Sequence, residues 1–388
     1  MWFVATKFGQ QSEVWMHRQA AGMRRLRLRV ITRKHVNPDR FPADGFDLTE
    51  LSAPVMTKPR SRLLRQLQLA WWRVRNRRFG GFAGAPSEAR EWLALANEDQ
   101  PRVALCQYGV TAVRLSPILD GFGVPIVAHF HGFDLSSALR RPLYRRRLAE
   151  AAPRFAACVV VADYQREWLV DHGCDPSRVH KIPCGAPLDE FPIADQVAEQ
   201  PCRFLMVGRL TPKKRPDLSL RAFAHCREAC PDARLVVIGD GELEAECHAL
   251  AEELGIAGSV DWRGAQPPSV VKQELARAGA FLQHSVTAES GDKEGWPVAI
   301  AEAAGCGLPV VSTRHASIPE QIAHGETGLL VDELDWRAMA DHLITLARDP
   351  IARARMGAAA RQKLSAFDAA GQVRKLEDLL LTVAAGDA

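Results

Sequence analysis

At 388 residues, with 47% apolar and 25% charged side chains, the chain has the make-up of a globular protein and more length than one ordinary core takes up, so two domains are expected. No apolar run reaches the ~18 residues that cross a bilayer, and the N-terminus carries no signal-peptide pattern. Nine scattered cysteines without a Cys-x-x-Cys spacing indicate neither a disulfide framework nor a zinc site, which fits a reducing cytoplasm. The net charge of +4 is uneven: residues 1–195 hold 29 basic and 19 acidic side chains, which points that half toward an anionic surface.

Short apolar runs alternate with helical patterns along the whole chain. Strands are expected at 2–5, 28–31, 103–106, 125–128 and 158–161, then at 203–207, 234–238, 280–283, 308–312 and 328–331. Helices are expected at 13–23, 217–230, 243–254 and 318–324, with a helical tail from about 352 that breaks near 366–368. Unalternating, β-branched strands separated by helices predict parallel sheets covered on both faces. The pattern restarts near residue 202, after Gly185-Ala186-Pro187 and a polar stretch to Gln200 that reads as a linker. The expected division is 1–190, 198–366 and a C-terminal helix at 367–388 that packs back on the first domain. The fold class is α/β: two Rossmann-like, doubly wound parallel-sheet domains facing across a cleft, with ligands at the carboxyl ends of the strands.

In the first half, Lys7-Phe8-Gly9-Gln10-Gln11-Ser12-Glu13 joins the first strand to the first helix. Ser12 is a candidate N-cap, and Gly9 leaves room for a ligand to approach. Residues 57–82 carry eight Lys and Arg without an acidic residue, interleaved with Leu63, Leu64, Leu67, Trp71 and Trp72. A second basic cluster, Arg140, Arg141, Arg145, Arg146 and Arg147, surrounds Leu143 and Tyr144. Bulky apolar residues among arginines fit an anionic bilayer surface better than a nucleic acid or a merely solvated face. His131, in His129-Phe130-His131-Gly132, follows a strand and is placed to face the cleft. The bland alternative is a satisfied structural histidine. No third ligand stands nearby to make His129 and His131 a metal pair.

The second half opens on Val207-Gly208-Arg209-Leu210-Thr211-Pro212-Lys213-Lys214, where a strand ends at Gly208 and a cationic loop leads into a helix. Arg209 and Lys214 can converge on a diphosphate, one as a fork and one as a point charge. Gly239-Asp240-Gly241 resembles half of a dinucleotide fingerprint, without its third glycine; it either lets a ligand approach the backbone or is a plain strand-to-helix turn. There is no P-loop sequence. The most informative stretch is Glu294-Gly295-Trp296-Pro297, followed by Glu302 eight residues after the first glutamate. Pro297 suits the first turn of a helix that runs to about Ala304, which leaves Glu294 in the loop before it and Glu302 inside it. Free N–H groups at that helix start suit a phosphate. Eight residues of helix would separate the carboxylates by ~12 Å, beyond the roughly 6.5–9.5 Å of inverting glycosidases, so holding a ligand fits better than hydrolysis.

Together these segments resemble the retaining glycosyltransferases of family 4, which have the GT-B fold. The resemblance covers most of the chain and is strongest in Gly208-Arg209…Lys214, in Glu294…Glu302 and in Ile318-Pro319-Glu320…Gly328-Leu329-Leu330-Val331. It implies a nucleotide-diphosphate sugar as donor and no metal or other cofactor. Arg209 and Lys214 would hold the diphosphate and stabilise the leaving group, with Gly208, Gly239 and Gly241 lining the nucleotide. Glu294 would bind hydroxyls of the transferred sugar, Glu302 the ribose, and N–H groups around Gly295, Trp296 and Pro297 the phosphates. His131 would lie beside the donor sugar, and Gly9 near the nucleotide. The Gln10-Gln11-Ser12-Glu13 form resembles the exopolysaccharide and colanic-acid branch, and position 215 is Arg where the family usually has Gly. The expected function is transfer of a sugar to a glycan or lipid-linked acceptor, peripheral on the inner face of the cytoplasmic membrane through residues 57–82 and 140–147, with no nucleic-acid partner. The alternatives are an NAD-type Rossmann oxidoreductase and a non-enzymatic adaptor that binds polyanions or membranes.

Overall fold

The first sheet is built on a run that is buried throughout: Trp2–Ala5 (β1) has no solvated face, as a central parallel strand requires. Around it lie Arg29–Thr32 (β2), Asp47–Glu50 (β3), Ala104–Gln107 (β4), Ile126–His129 (β5), Ala157–Val160 (β6) and Val179–Lys181 (β7). The order is β3-β2-β1-β4-β5-β6-β7, parallel throughout, with Phe3 opposite both Val30 and Leu105. The second sheet contains Arg203–Val207 (β8), Arg234–Ile238 (β9), Val260–Trp262 (β10), Ala280–Leu282 (β11), Val310–Thr313 (β12) and Gly328–Val331 (β13). Its order, β10-β9-β8-β11-β12-β13, is again parallel. Both are doubly wound, with the order reversing beside β1 and β8; the carboxyl ends there form the crevice that such sheets offer to ligands.

This computed structural model describes residues 1–10, 13–51, 86–191, 193–194 and 202–386. The chain divides into two units, Met1–Ile182 with Val373–Ala388, and Pro183–Gln372. Ser12, residues 57–82 and, in the expected linker, residues 192 and 195–200 lie outside the described residues. The final helix, Ala369–Ala385, gives the first unit Glu377, whose carboxylate accepts the main-chain N–H of Arg25 at 2.6 Å and its Nε at 2.8 Å. Among the described residues no helix is long and apolar enough to cross a membrane.

Three strands escaped the sequence pattern: β3, β7 and β10. Each lies at a sheet edge, each is only three or four residues long, and each has positions that are not buried, so none shows an apolar run. The helix expected at 318–324 is shorter, Ile318–Gln321, because Ile322 turns extended and the Ala323 N–H is taken by Thr327 Oγ1 at 2.8 Å.

In the first core, Trp92 on the helix Pro86–Glu98 packs 5.8 Å from Trp2, and both are 1% exposed. Trp92→Ala removes this contact and leaves a cavity, so denaturant unfolding of the first unit should show a loss of about 3–5 kcal/mol.

Candidate active site

At the end of β8 the chain turns through Gly208 (φ +145°) into an exposed Arg209, then a single 3-10 turn at Pro212–Lys214. A Cβ on Gly208 would stand 3.2 Å from Lys214 Cε and 3.5 Å from its Nζ, so the lysine stem folds back over the bare glycine. Gly239 (φ +139°) packs beneath it: a Cβ there would sit 2.0 Å from the Gly208 carbonyl oxygen. A Cβ on Gly241 would sit 2.4 Å from the Leu210 carbonyl oxygen, and Leu210 N–H donates to Asp240 O at 2.8 Å. The side-chain positions of Gly239 and Gly241 therefore belong to the neighbouring turn, which gives both glycines a packing reason. Arg215 adopts φ +36°, ψ 57°, the left-handed region that favours glycine, and its guanidinium is held on the Asp217 carboxylate at 2.7 and 2.9 Å.

Glu294 lies in the loop between β11 and the helix Val298–Gly305 and is 6% exposed, which excludes a solvated surface glutamate. Its Oε1 is 3.0 Å from Lys214 Nζ and its Oε2 is 3.8 Å from Lys213 Nζ. Lys213 Nζ also reaches Asp292 Oδ2 at 3.2 Å, and its carbonyl accepts the N–H of Val286 at 2.8 Å, which stitches the β8 and β11 loops together. Burial acts to raise the Glu294 carboxyl, but Lys214 and Lys213 outweigh it and hold the group at about 2. Lys214 is shifted downward, first by burial and then by Lys213 and Arg209, against the pull of Glu294. One ion pair thus favours the charged form of its anion more than that of its cation, because several cations share the carboxylate.

Pro297 is the residue before the helix, not part of its first turn; its carbonyl accepts the N–H groups of Ile300 and Ala301 at 3.1 and 3.2 Å. Gly295 and Trp296 are buried, and the indole packs 5.1 Å from the Phe367 ring. Glu302 stands in the helix's second turn, partly exposed, where it helps burial push the Cys306 thiol up to about 12. Beneath the loop, His315 Nε2 accepts the main-chain N–H of Glu294 at 3.1 Å. Lys213, Asp292 and His315 were not singled out in the sequence; a second lysine beside Lys214 was the one available signal.

In the first unit, the ends of β1, β4 and β5 bring together a second group of polar residues. His131 is 8% exposed, its Nε2 lies 3.1 Å from Gln107 Oε1, and its ring stands 4.1 Å from Trp15 and 4.9 Å from Tyr108. Tyr108 donates to Glu13 Oε1 at 2.6 Å. Burial pushes His131 well below the usual range and His129 down to about 3, so both rings stay neutral. Asp134 accepts the His131 N–H at 2.9 Å, and burial raises its carboxyl to about 7 against its backbone hydrogen bonds. Gly9 is buried: its side-chain position is filled by the Val36 carbonyl oxygen, 2.2 Å away, and by Phe41, so the loop at 36–41 admits no side chain there. In the helix Pro142–Ala151, Tyr144 and Leu148 face the core while Leu143, Arg145 and Arg146 are exposed.

A model of group 1 glycosyl transferases matches residues 189–363, and a model of glycosyltransferase family 4 matches residues 12–190, so the two account for nearly the whole chain. The chain belongs to the family 4 glycosyltransferases. This glycosyltransferase is 32% identical over 240 residues to the amylovoran biosynthesis glycosyltransferase AmsK of Erwinia amylovora, covering 61% of this chain and 58% of that protein. It is 29% identical over 246 residues to the GDP-mannose-dependent alpha-(1-6)-phosphatidylinositol monomannoside mannosyltransferase of Mycolicibacterium smegmatis, covering 61% and 64%. Both alignments span less than two thirds of the relatives' length. The fold matches the Anabaena HepE structure in complex with UDP and glucose (TM-score 0.77, 17% identity, 98% of this chain and 99% of that one). It also matches the lipopolysaccharide outer core galactosyltransferase WaaB (TM-score 0.71, 16% identity, 98% and 99%). The fold is GT-B.

Gly239→Ala should destabilise this glycosyltransferase by about 2 kcal/mol or more, through the contact with the Gly208 carbonyl and the left-handed φ. The check is denaturant unfolding, with Gly258→Ala, which meets open space, as the control.

Proposed function

We propose that this family 4 glycosyltransferase transfers a sugar, with retention of anomeric configuration, from a nucleotide-diphosphate sugar to a glycan or lipid-linked saccharide during synthesis of a cell-surface polysaccharide. The observation that carries the proposal is the charge around Glu294, where Arg209, Lys213 and Lys214 gather against Glu294 and Asp292, three cations to two carboxylates. A diphosphate is an anion that this surplus suits. Arg209 and Lys214 hold it and stabilise the negative charge that grows on it as the glycosidic bond breaks, the part a divalent metal plays in other transferases. The amides opening the Val298–Gly305 helix meet the phosphates, Glu294 accepts hydrogen bonds from the sugar hydroxyls, and Glu302 those of the ribose. The departing phosphate takes the acceptor's proton on the same face of the sugar, so no protein nucleophile is needed. The names of the relatives, one a polysaccharide transferase and one GDP-mannose-dependent, and the UDP and glucose in the HepE structure support this class of donor. The oxidoreductase alternative has less support, because the third glycine of its fingerprint is absent.

Lys214→Ala and Glu294→Gln should each lower turnover by roughly 100- to 1,000-fold while the far-ultraviolet circular dichroism stays native. Thermal shift with UDP-glucose, UDP-galactose and GDP-mannose identifies the donor. Near-normal turnover in both variants, or no response to any sugar nucleotide, overturns the assignment.

A second reading concerns where the protein works. Leu143 is 46% exposed beside exposed Arg141, Arg145 and Arg146, and Phe133 is 37% exposed with the Arg141 guanidinium 5.6 Å from its ring centre. Apolar side chains among arginines suit the inner face of an anionic membrane, each basic residue adding about 1 kcal/mol. Arg145→Glu with Arg146→Glu should weaken binding to phosphatidylserine vesicles at least about tenfold and leave phosphatidylcholine vesicles unaffected. Equal binding of wild type and variant in vesicle sedimentation removes this reading.

A further inference from the structure

His315 follows β12 and is 1% exposed. The main-chain N–H of Glu294 donates to its Nε2 at 3.1 Å. An amide N–H can only give a proton, so Nε2 carries none and the ring proton sits on Nδ1. Nδ1 donates to Glu333 Oε1 at 2.6 Å, and Glu333 Oε2 accepts the N–H of Thr287 at 3.0 Å. Thr287 and Glu294 are the two limbs of one loop, closed between them by Ala288 N–H to Asp292 O at 3.0 Å. One imidazole and one carboxylate, rooted just after β12 and β13, therefore hold both limbs of the loop that delivers Glu294 to Lys214.

We propose that His315 and Glu333 are positioning residues for the transfer, fixing the Glu294 main chain so that its carboxylate meets Lys214 and the hydroxyls of the donor sugar. This rests on the donor assignment made above. A histidine that merely filled space would need neither nitrogen paired in line, and misplacing a reacting group by about 1 Å can cost ~100-fold in rate.

Two amide variants divide the device. Asn places its amide near where Nδ1 stands, so His315→Asn keeps a donor for Glu333 and loses the acceptor for Glu294. Gln reaches the position of Nε2, so His315→Gln keeps the acceptor for Glu294. His315→Asn should lower turnover of the donor found in the sugar-nucleotide panel by about 10- to 100-fold. Its affinity for free UDP or GDP, which lacks the sugar, should stay within about threefold of wild type. Without nucleotide, the Glu294 amide should exchange its hydrogen faster in this variant. His315→Gln should restore slow exchange and most of the turnover. Equal loss in both variants would make the ring a packing element and overturn the proposal, and so would wild-type exchange and turnover in His315→Asn. If wild type binds none of UDP-glucose, UDP-galactose and GDP-mannose, the donor assignment fails by itself, and the exchange contrast between the two variants still decides the positioning role.

Discussion

A carboxylate withdrawn from water and outnumbered by cations governs the second unit. Glu294 and Lys214 meet at 3.0 Å with Lys213 close behind, in a place where burial acts against the charge of both Glu294 and Lys214. Such pairs are poor sources of stability, since desolvation offsets much of the attraction. What the arrangement achieves is an electrostatic imbalance held in a fixed place. Glu294 keeps one lysine in register, and the surplus positive charge is left for an incoming anion. Preorganised charge of this kind loses nothing to reorganisation when substrate chemistry begins.

Strand order decides where that carboxylate is found. In a doubly wound sheet the loops on either side of the reversal diverge, and their ends gather polar groups. Beside β8 and β11 those loops hold lysines, Asp292 and Glu294, tied by the bond from Val286 to Lys213. Beside β1 and β4 the same topology gathers Gln107, Tyr108 and Glu13, with the neutral rings of His129 at the end of the adjoining β5 and His131 just after it. One architecture thus presents a charged strand-end site in one unit and a largely neutral one in the other.

Central strands were legible because burial on both faces writes a continuous apolar run: β1, β8 and β9 begin and end where the sequence places them, and so does β13, an edge strand that is buried at three of its four positions. Edge strands such as Asp47–Glu50 write no such run, since the residues that pair on one side meet water on others. The spacing of Glu294 and Glu302 was legible for a similar reason, as a loop, a proline and a short helix leave a local signature. The residues that hold Glu294 were not, because Lys213, His315 and, behind His315, Glu333 come from three separate strand ends and no local pattern links them. Glycines were legible only in part. At Gly9, Gly239 and Gly241 backbone from elsewhere stands where a Cβ would be. A glycine signals close approach without saying what approaches. Arg215 shows the converse, a left-handed backbone position held by a fork to Asp217 where the family usually has no side chain.

The return of Val373–Ala388 to the unit that begins at Met1 has a bearing on biosynthesis. A ribosome makes the whole of Pro183–Gln372 before it reaches the segment that carries Glu377. Until then the Arg25 amide has no carboxylate to bind, and Gly22 lacks the neighbouring Val373. Vectorial synthesis therefore favours completion of the interior unit ahead of the one translated first, the reverse of the usual N-to-C sequence of domain folding.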